Sequence, residues 1–300
     1  MSTRPTPEEL PNPELDATHG TRGLADLATA IFRDKTIDPG DKFLAHYDKL
    51  AHHSDVVLGF KHDFEAIGAT LGPFTARWPD SARSYPTRVL GDKDSAVIFL
   101  VDEPPLFGSE VRLVLAMNFR DGKILRQVDY SDGRHFGADA IAKLADAIPG
   151  QFRTKGPVPD LGEKGIGETA DPRMRTRATA LSAAFSGGDF VGAATMFAPD
   201  AALEDLTLRT QIVGREAITV FLESALPLLP YGSGTRVRHI LGSSRGGGYE
   251  WIADGGRVPN GIVALELGED GLITRFTTIW DGSLLDDDAM ITLLKHTIER

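Results

Sequence analysis

The chain contains one segment twice, about half its length apart. Residues 121–132 read DGKILRQVDYSD, and residues 270–281 read DGLITRFTTIWD. Five positions are identical in the two segments: Asp121, Gly122, Ile124, Arg126 and Asp132 in the first, and Asp270, Gly271, Ile273, Arg275 and Asp281 in the second. A single repeat at this spacing predicts two copies of one domain rather than a solenoid. Acidic residues that differ between the copies are therefore the candidates for chemistry.

The repeat divides the 300 residues into four predicted parts. Residues 1–20 hold four prolines and no apolar core segment, which predicts a flexible leader. The first domain is predicted over 21–152, a linker rich in glycine and proline over 153–172, and the second domain over 173–300. Each domain is long enough to bury a core of its own.

Both copies predict the same order of elements: two helices, a strand, a third helix and four strands. In the first copy, apolar spacing predicts a second helix through Phe43 and Leu50, a strand over 55–60 and a closing helix over 138–147. Asp121-Gly122 predicts a hairpin, and the acidic triplet at 286–288 predicts the start of the last helix. The predicted fold class is α+β. It comprises two tandem cone-shaped barrels, each a curved antiparallel sheet packed on three helices, and the halves are expected to pack sheet to sheet.

Composition limits the function. The net charge of −11 argues against nucleic acid and acidic membrane surfaces as partners. The absence of cysteine excludes disulfides, thiolate zinc sites and a cysteine nucleophile. No apolar stretch approaches the ~18 residues of a membrane span, and the N-terminus does not resemble a signal peptide, so the cytoplasm is expected.

No metal and no cofactor is expected from the sequence. The glycines at 246–248 lack the lysine and helix of a phosphate loop and predict a turn. His52, His53 and His62 have poor metal-ligand spacing and no second cluster, so we expect them to be solvated at helix ends.

The segment 197–222, FAPDAALEDLTLRTQIVGREAITVFL, resembles the ketosteroid isomerase branch of the nuclear-transport-factor-2-like superfamily, which includes SnoaL-like polyketide cyclases and epoxide hydrolases. The shared features are Asp200-Ala201, Glu204-Asp205 and the run Gly214-Arg215-Glu216-Ala217-Ile218. Residues 120–132 resemble the last hairpin of limonene-epoxide-hydrolase-like members, where an Asp-Tyr pair like Asp129-Tyr130 lies in the final strand. These motifs are specific for the fold and weak for the reaction.

The resemblance implies that Asp205 is the general base of an isomerase. A carboxylate in an apolar cone has a raised pKa, which suits proton transfer near neutral pH. Leu181 and Val263 stand where the family places the donors that stabilise an enolate. That substitution argues against isomerisation through a dienolate.

The resemblance to epoxide hydrolases implies a different pair, Asp102 and Asp129, in the first copy. One acid would protonate the epoxide oxygen while the other activates water, and two carboxylates in one cavity have split pKa values. Leu100 stands where the family has an arginine. Leu58 and Phe60 align with the residues that position water.

The two predicted pockets differ at matched positions. Phe60 aligns with Asp205, and Asp129 aligns with Thr278. Asp254 is matched to Asp102. Residues expected to contact substrate are Tyr130, Trp251, Trp280, Phe60 and Asp254.

The predicted function is cofactor-free acid–base chemistry on a hydrophobic polyketide- or terpenoid-like intermediate, in natural-product or small-molecule metabolism. Cyclisation with epoxide opening and isomerisation both stay open. The alternative is a non-catalytic binding or scaffold protein with degenerate pockets. The expected partner is a small hydrophobic substrate, not nucleic acid or a membrane, and the chain would form a pseudo-dimer by itself, with a homodimer left open.

Overall fold

The structure is a computed structural model that describes residues 14–38, 40–75, 78–136 and 169–297. The first domain contains α1 (Arg22–Ile37), α2 (Asp41–Leu44), β1 (Tyr47–Asp55), β2 (Phe60–Asp63), α3 (Phe64–Thr75), β3 (Ser84–Gly91), β4 (Ser95–Asp102), α4 (Pro104–Phe107), β5 (Val111–Arg120) and β6 (Lys123–Ser131). The second contains α5 (Pro172–Gly187), α6 (Phe190–Ala194), β7 (Phe197–Asp205), β8 (Thr210–Val213), α7 (Arg215–Ala225), β9 (Thr235–Gly242), β10 (Gly246–Ala253), β11 (Asn260–Leu267), β12 (Ile273–Trp280) and α8 (Asp287–Lys295). The predicted closing helix over 138–147 lies outside the described residues.

Each domain has one six-stranded sheet with the same strand order. The order is β2-β1-β6-β5-β4-β3 in the first domain and β8-β7-β12-β11-β10-β9 in the second. The predicted two-domain α+β architecture is confirmed. The sheets are mixed rather than wholly antiparallel, because β1 pairs with β6, and β7 with β12, in parallel. In each domain the third helix connects one edge of the sheet to the other. The four-strand meander that follows ends beside the first strand, and its last strand runs parallel to that strand.

Two predicted elements of the first domain are wrong. The segment predicted as a second helix through Leu50 contains β1, and the strand predicted over 55–60 is a turn. Phe43, Tyr47 and Leu50 mimic helical spacing, but Leu50 is 65% exposed. The turn forms because Asp55 Oδ1 accepts the N–H groups of Val57 and Leu58 at 2.9 and 2.7 Å.

The predicted hairpin and the predicted helix start are confirmed. Asp121 and Gly122 both have positive φ, 52° and 74°, which is the requirement of the type I′ turn. Asp286 caps α8 by accepting the N–H of Ala289 at 2.8 Å.

The two sheets pack against each other across an apolar interface. Its buried side chains come from β3 to β6 of the first domain and from β9, β11 and β12 of the second: Leu90, Val97, Phe99, Val114, Ala116, Val128 and Tyr130 from the first, and Leu241, Ile262, Ala264 and Ile279 from the second. The opposite face of each sheet packs on its own helices. The convex faces therefore join the domains, and the concave faces with the helices form the two separate interiors.

A buried charge network also lies in this interface. Glu250 is fully buried and contacts Arg126 at 2.6 Å and Arg238 at 3.1 Å, and it accepts the Tyr130 hydroxyl at 2.5 Å. Burial alone would raise the pKa of Glu250, but the two guanidinium groups hold it at about 2. Arg88 makes a second interdomain ion pair with Glu266 at 2.8 Å.

Part of the predicted leader is attached to the first sheet. Asp16 and Gly20 form bridges with Arg88 and Gly91 of β3. Residues 1–13 and most of the predicted linker lie outside the described residues. Within the described ranges, no helix is long and apolar enough to cross a membrane.

Candidate active site

A cavity of about 90 Å³ lies in the first domain between the concave face of the sheet and the helices. Its polar lining includes Lys35, His53, Asp55, His62, Thr70, Asp102, Gln127 and Asp129. Much of the remaining lining is apolar and includes Phe43, Leu58, Phe60, Ile67, Phe107, Leu113 and Phe136. An apolar cavity with a few convergent polar groups is the usual form of a small-molecule site.

The parallel pairing of β1 and β6 builds the centre of this site. His53 is in register with Gln127, and Asp55 is in register with Asp129. Alternate residues of a strand point to the same face, so these four side chains share the concave side. All four are buried.

Asp129 is held by two side chains. The Nε2 of His53 lies 2.9 Å from its Oδ2, and Gln127 donates from Nε2 to its Oδ1 at 2.8 Å. Tyr47 in turn donates its hydroxyl to Gln127 Oε1 at 2.9 Å, which fixes the orientation of the amide. Both carboxylate oxygens of Asp129 thus have a side-chain partner.

Asp55 is the neighbour of Asp129 in register and has a raised pKa. Burial, together with the nearby Asp129 carboxyl, raises the pKa of Asp55 from its usual 3.8 to about 8. Its Oδ1 accepts the two backbone N–H groups of the turn, so the proton lies on Oδ2. At neutral pH the site thus contains Asp55 as a carboxylic acid that can donate a proton.

Asp102, which lines the same cavity, is paired with a cation. Lys35, in the last turn of α1, donates from Nζ to both oxygens of Asp102 at 2.9 and 3.2 Å. The Nζ also lies 5.9 Å from the centre of the Trp78 ring. The pair is nearly enclosed, which strengthens its attraction.

A short aromatic stack forms another wall. Phe60 stacks on His62 with ring centres 4.5 Å apart, and it meets the His53 ring edge-on at 5.0 Å. Burial, together with the nearby His53, lowers the pKa of His62 to about 4, so this ring is neutral at pH 7. His53 and His62 are buried in strands, which corrects the prediction that they are solvated at helix ends.

The predicted site residues lie in four places, one of which is the core of the second domain. Asp102, Asp129 and Phe60 line the cavity. Tyr130 points to the opposite face of β6, into the interface between the domains. Asp254 lies on the surface, where it pairs with Arg236 at 3.0 Å. The catalytic and binding roles of all predicted residues stay predictions.

Asp205, Trp251 and Trp280 lie in the core of the second domain. Asp205 Oδ1 accepts the N–H groups of Thr207 and Leu208, and its Oδ2 accepts the indole N–H of Trp280 at 3.1 Å. Burial raises the pKa of Asp205 to about 6. The carboxylate thus has partners for both oxygens within packed side chains.

Strand register relates the two interiors. Asp55 pairs with Asp129 as Asp205 pairs with Thr278, so the equivalent of Asp205 is Asp55 and not Phe60. Position by position, the second domain has Phe185 for Lys35, Leu203 for His53, Ile212 for His62, Phe276 for Gln127 and Ala253 for Asp102. Ala253, and not Asp254, is thus the match of Asp102. Most polar groups of the first interior are apolar in the second.

Sequence reasoning missed Lys35, Tyr47, His53, Asp55, His62 and Gln127. Reading β1 as a helix hid the alternation that places Tyr47, His53 and Asp55 on one face. The signal that could have found Asp55 is the likeness of DVVL at 55–58 to DLTL at 205–208. Lys35 and Gln127 gave no local signal, because their role depends on contacts distant in sequence.

Comparison with known proteins finds likeness only among solved structures. No protein-family model matches the sequence, and no curated protein matches it. One similar structure is an NTF-2 like protein of unknown function from Burkholderia xenovorans LB400, with 22% identity, covering 39% of this chain and 87% of that one at a TM-score of 0.32. A steroid delta-isomerase from Pseudomonas aeruginosa has 14% identity, with 43% and 91% coverage and a TM-score of 0.33.

A SnoaL-like protein of unknown function from Burkholderia thailandensis E264 has 11% identity, with 37% and 95% coverage and a TM-score of 0.32. Each match covers well under half of this chain and most of the other one. At these identities the likeness concerns the fold alone, and nothing about reaction or ligand follows from it.

Proposed function

We propose that the first domain is a cofactor-free acid–base enzyme that opens an epoxide in a small, largely apolar molecule of the polyketide or terpenoid kind. The observation that carries this proposal is the pair Asp55 and Asp129, which are adjacent in register in one cavity, with the pKa of Asp55 raised to about 8. Opening an epoxide needs one group that gives a proton and another that takes one. The absence of cysteine fits a reducing compartment, and the cytoplasm is the location we propose.

The proposed step uses both carboxyls at once. Asp55 transfers its Oδ2 proton to the epoxide oxygen as the C–O bond breaks. A water molecule, or a hydroxyl of the substrate itself, attacks the carbon, and Asp129 takes the proton that this nucleophile loses. The product is a diol or a cyclic ether with a hydroxyl, and proton exchange with solvent restores the two carboxyls.

Isomerisation is a second candidate, favoured by one observation. Asp55 occupies the strand position of Asp205, the residue that the sequence resemblance equates with an isomerase base. When ionised, a carboxyl with a pKa near 8 is strong enough to remove a proton next to a carbonyl group.

The test compares Asp55→Asn with Asp205→Asn on a panel of terpenoid epoxides and cyclic enones. The two acids are matched structurally, since each accepts two N–H groups of its own turn. We expect turnover to fall about 100-fold or more in Asp55→Asn, because the general acid is lost. Asp205→Asn is expected to keep wild-type turnover once its thermal stability has been checked.

The outcomes separate the candidates. Loss confined to epoxides supports ring opening, and loss confined to enones supports isomerisation. Equal losses of turnover in Asp55→Asn and Asp205→Asn would show that the loss comes from disturbed turns and not from the missing carboxyl of Asp55. Binding of panel members without turnover in the wild type would place the protein in the alternative class of non-catalytic binders.

A further inference from the structure

His62 is a polar group in the cavity wall that has no part in the proposed reaction. It lies on β2 directly opposite His53 of β1, and the stacked Phe60 ring holds its plane. Its side chain is buried, and its Nε2 has no hydrogen-bond partner among the described residues. A buried ring nitrogen without a partner is unfavourable unless something else supplies the bond.

The fold itself does not require a histidine here. In the second domain the matched pair is Leu203 and Ile212, in the same register as His53 and His62. There Ile212 packs against the hydrophobic core. Two aliphatic residues are thus sufficient for this strand pairing. The imidazole of His62 is therefore available to bind a molecule inside the cavity.

The chemistry of the ring restricts what this partner can be. Burial keeps the imidazole neutral at pH 7, so it offers a hydrogen bond and no charge. Apolar side chains such as Phe43, Ile67 and Phe107 line the same cavity. The complementary group is a neutral oxygen carried on an apolar body.

We propose that His62 determines specificity by hydrogen-bonding, through Nε2, a hydroxyl or carbonyl oxygen of an otherwise apolar substrate. This inference rests on the proposed function, and it adds that the substrate has a second oxygen besides the one that Asp55 protonates. His53, which contacts Asp129 through Nε2, lies directly opposite His62 in the strand register.

The test measures binding rather than turnover, with menthol and p-menthane, which differ by one hydroxyl. We expect the wild type to prefer menthol by about tenfold or more, as one buried hydrogen bond allows, and His62→Ile to lose that preference. His62→Gln, whose amide reaches the position of Nε2, should recover part of it. His52→Ile is the control, since His52 does not line the cavity.

The ¹⁵N chemical shift of His62 Nε2, assigned by its absence in His62→Ile, gives an independent readout. Menthol should move it in the wild type, and p-menthane should not. An unchanged preference in His62→Ile, or equal weakening of both probes, would overturn the proposal, as would failure of the wild type to bind menthol. Since the epoxide and enone assay with Asp55→Asn decides the reaction separately, failure of one proposal is distinguishable from failure of the other.

Discussion

Two aspartates with the same local structure have different surroundings. Asp55 and Asp205 each end a first strand and each accept two backbone N–H groups of the turn that follows. Asp205 has a third donor, Trp280, whereas Asp55 faces a cavity and a second carboxylate. The turn therefore explains why an aspartate is suited to both places, and the different neighbours are the reason why we propose proton transfer for Asp55.

The raised pKa of Asp55 predicts a pH dependence of stability. The pKa of Asp55 is about 8 in the folded protein and takes its ordinary value of 3.8 in the unfolded chain. Unfolding at a pH between 3.8 and 8 therefore releases a proton from this group. The contribution of Asp55 to the unfolding free energy is fully present below pH 3.8 and is lost as pH rises through 8. Between about pH 7 and about pH 9, we expect the wild type to lose about 1 kcal/mol of unfolding free energy that Asp55→Asn does not lose.

Urea denaturation at both pH values measures this difference. Asp205, with a pKa of about 6, contributes mainly below this range, which makes Asp205→Asn the matched control. A wild type and an Asp55→Asn variant with the same pH dependence would contradict a raised pKa at Asp55.

At the level of elements, the sequence predicted what local chemistry determines. The hairpin at Asp121-Gly122 and the cap at Asp286 depend on residues within four positions, and both are confirmed. β1 was missed because its apolar spacing also fits a helix, and only pairing with β6 decides between the two. The cavity was half predicted: Asp102 and Asp129 were found, but Asp55 was not, since its role depends on that same pairing.

The hairpin between β5 and β6 offers a test of this local control. Gly122 has φ +74°, a conformation that an L side chain adopts only with strain. Gly122→Ala is expected to lower the unfolding free energy by about 1 kcal/mol, measured by urea denaturation. Among the described residues, no atom beyond the two chain neighbours of Gly122 lies within 4 Å of the added Cβ. A larger loss of unfolding free energy would therefore show that backbone conformation is not the cause.

At the level of the whole molecule, the two domains share one buried interface that combines apolar packing with charge. Glu250 of the second domain lies between Arg126 of the first and Arg238. Removing one partner from such a group leaves uncompensated charge in a medium of low polarity. The ion pairs are therefore expected to fix the alignment of the two sheets.

Glu250→Gln should be strongly destabilising, by about 3 kcal/mol, because the buried negative charge that both Arg126 and Arg238 contact would be removed. Thermal and urea denaturation measure this loss. Asp254→Asn, which removes an exposed partner of Arg236, is the control and should change stability little. Equal effects of the two substitutions would show that the buried network does not hold the domains together.

The location of both domains in one polypeptide affects how this protein responds to dilution. In a homodimer, a subunit falls away from its neighbour as the concentration drops, and anything that depends on the contact disappears with it. Here the neighbour is part of the same polypeptide, so its effective concentration is set by the connecting chain and not by the amount of protein. The first domain contains the cavity with polar side chains, and the second domain, with its apolar interior, is covalently attached to it. Ligand titration should accordingly saturate at one equivalent per chain, and specific activity should stay constant however far the sample is diluted.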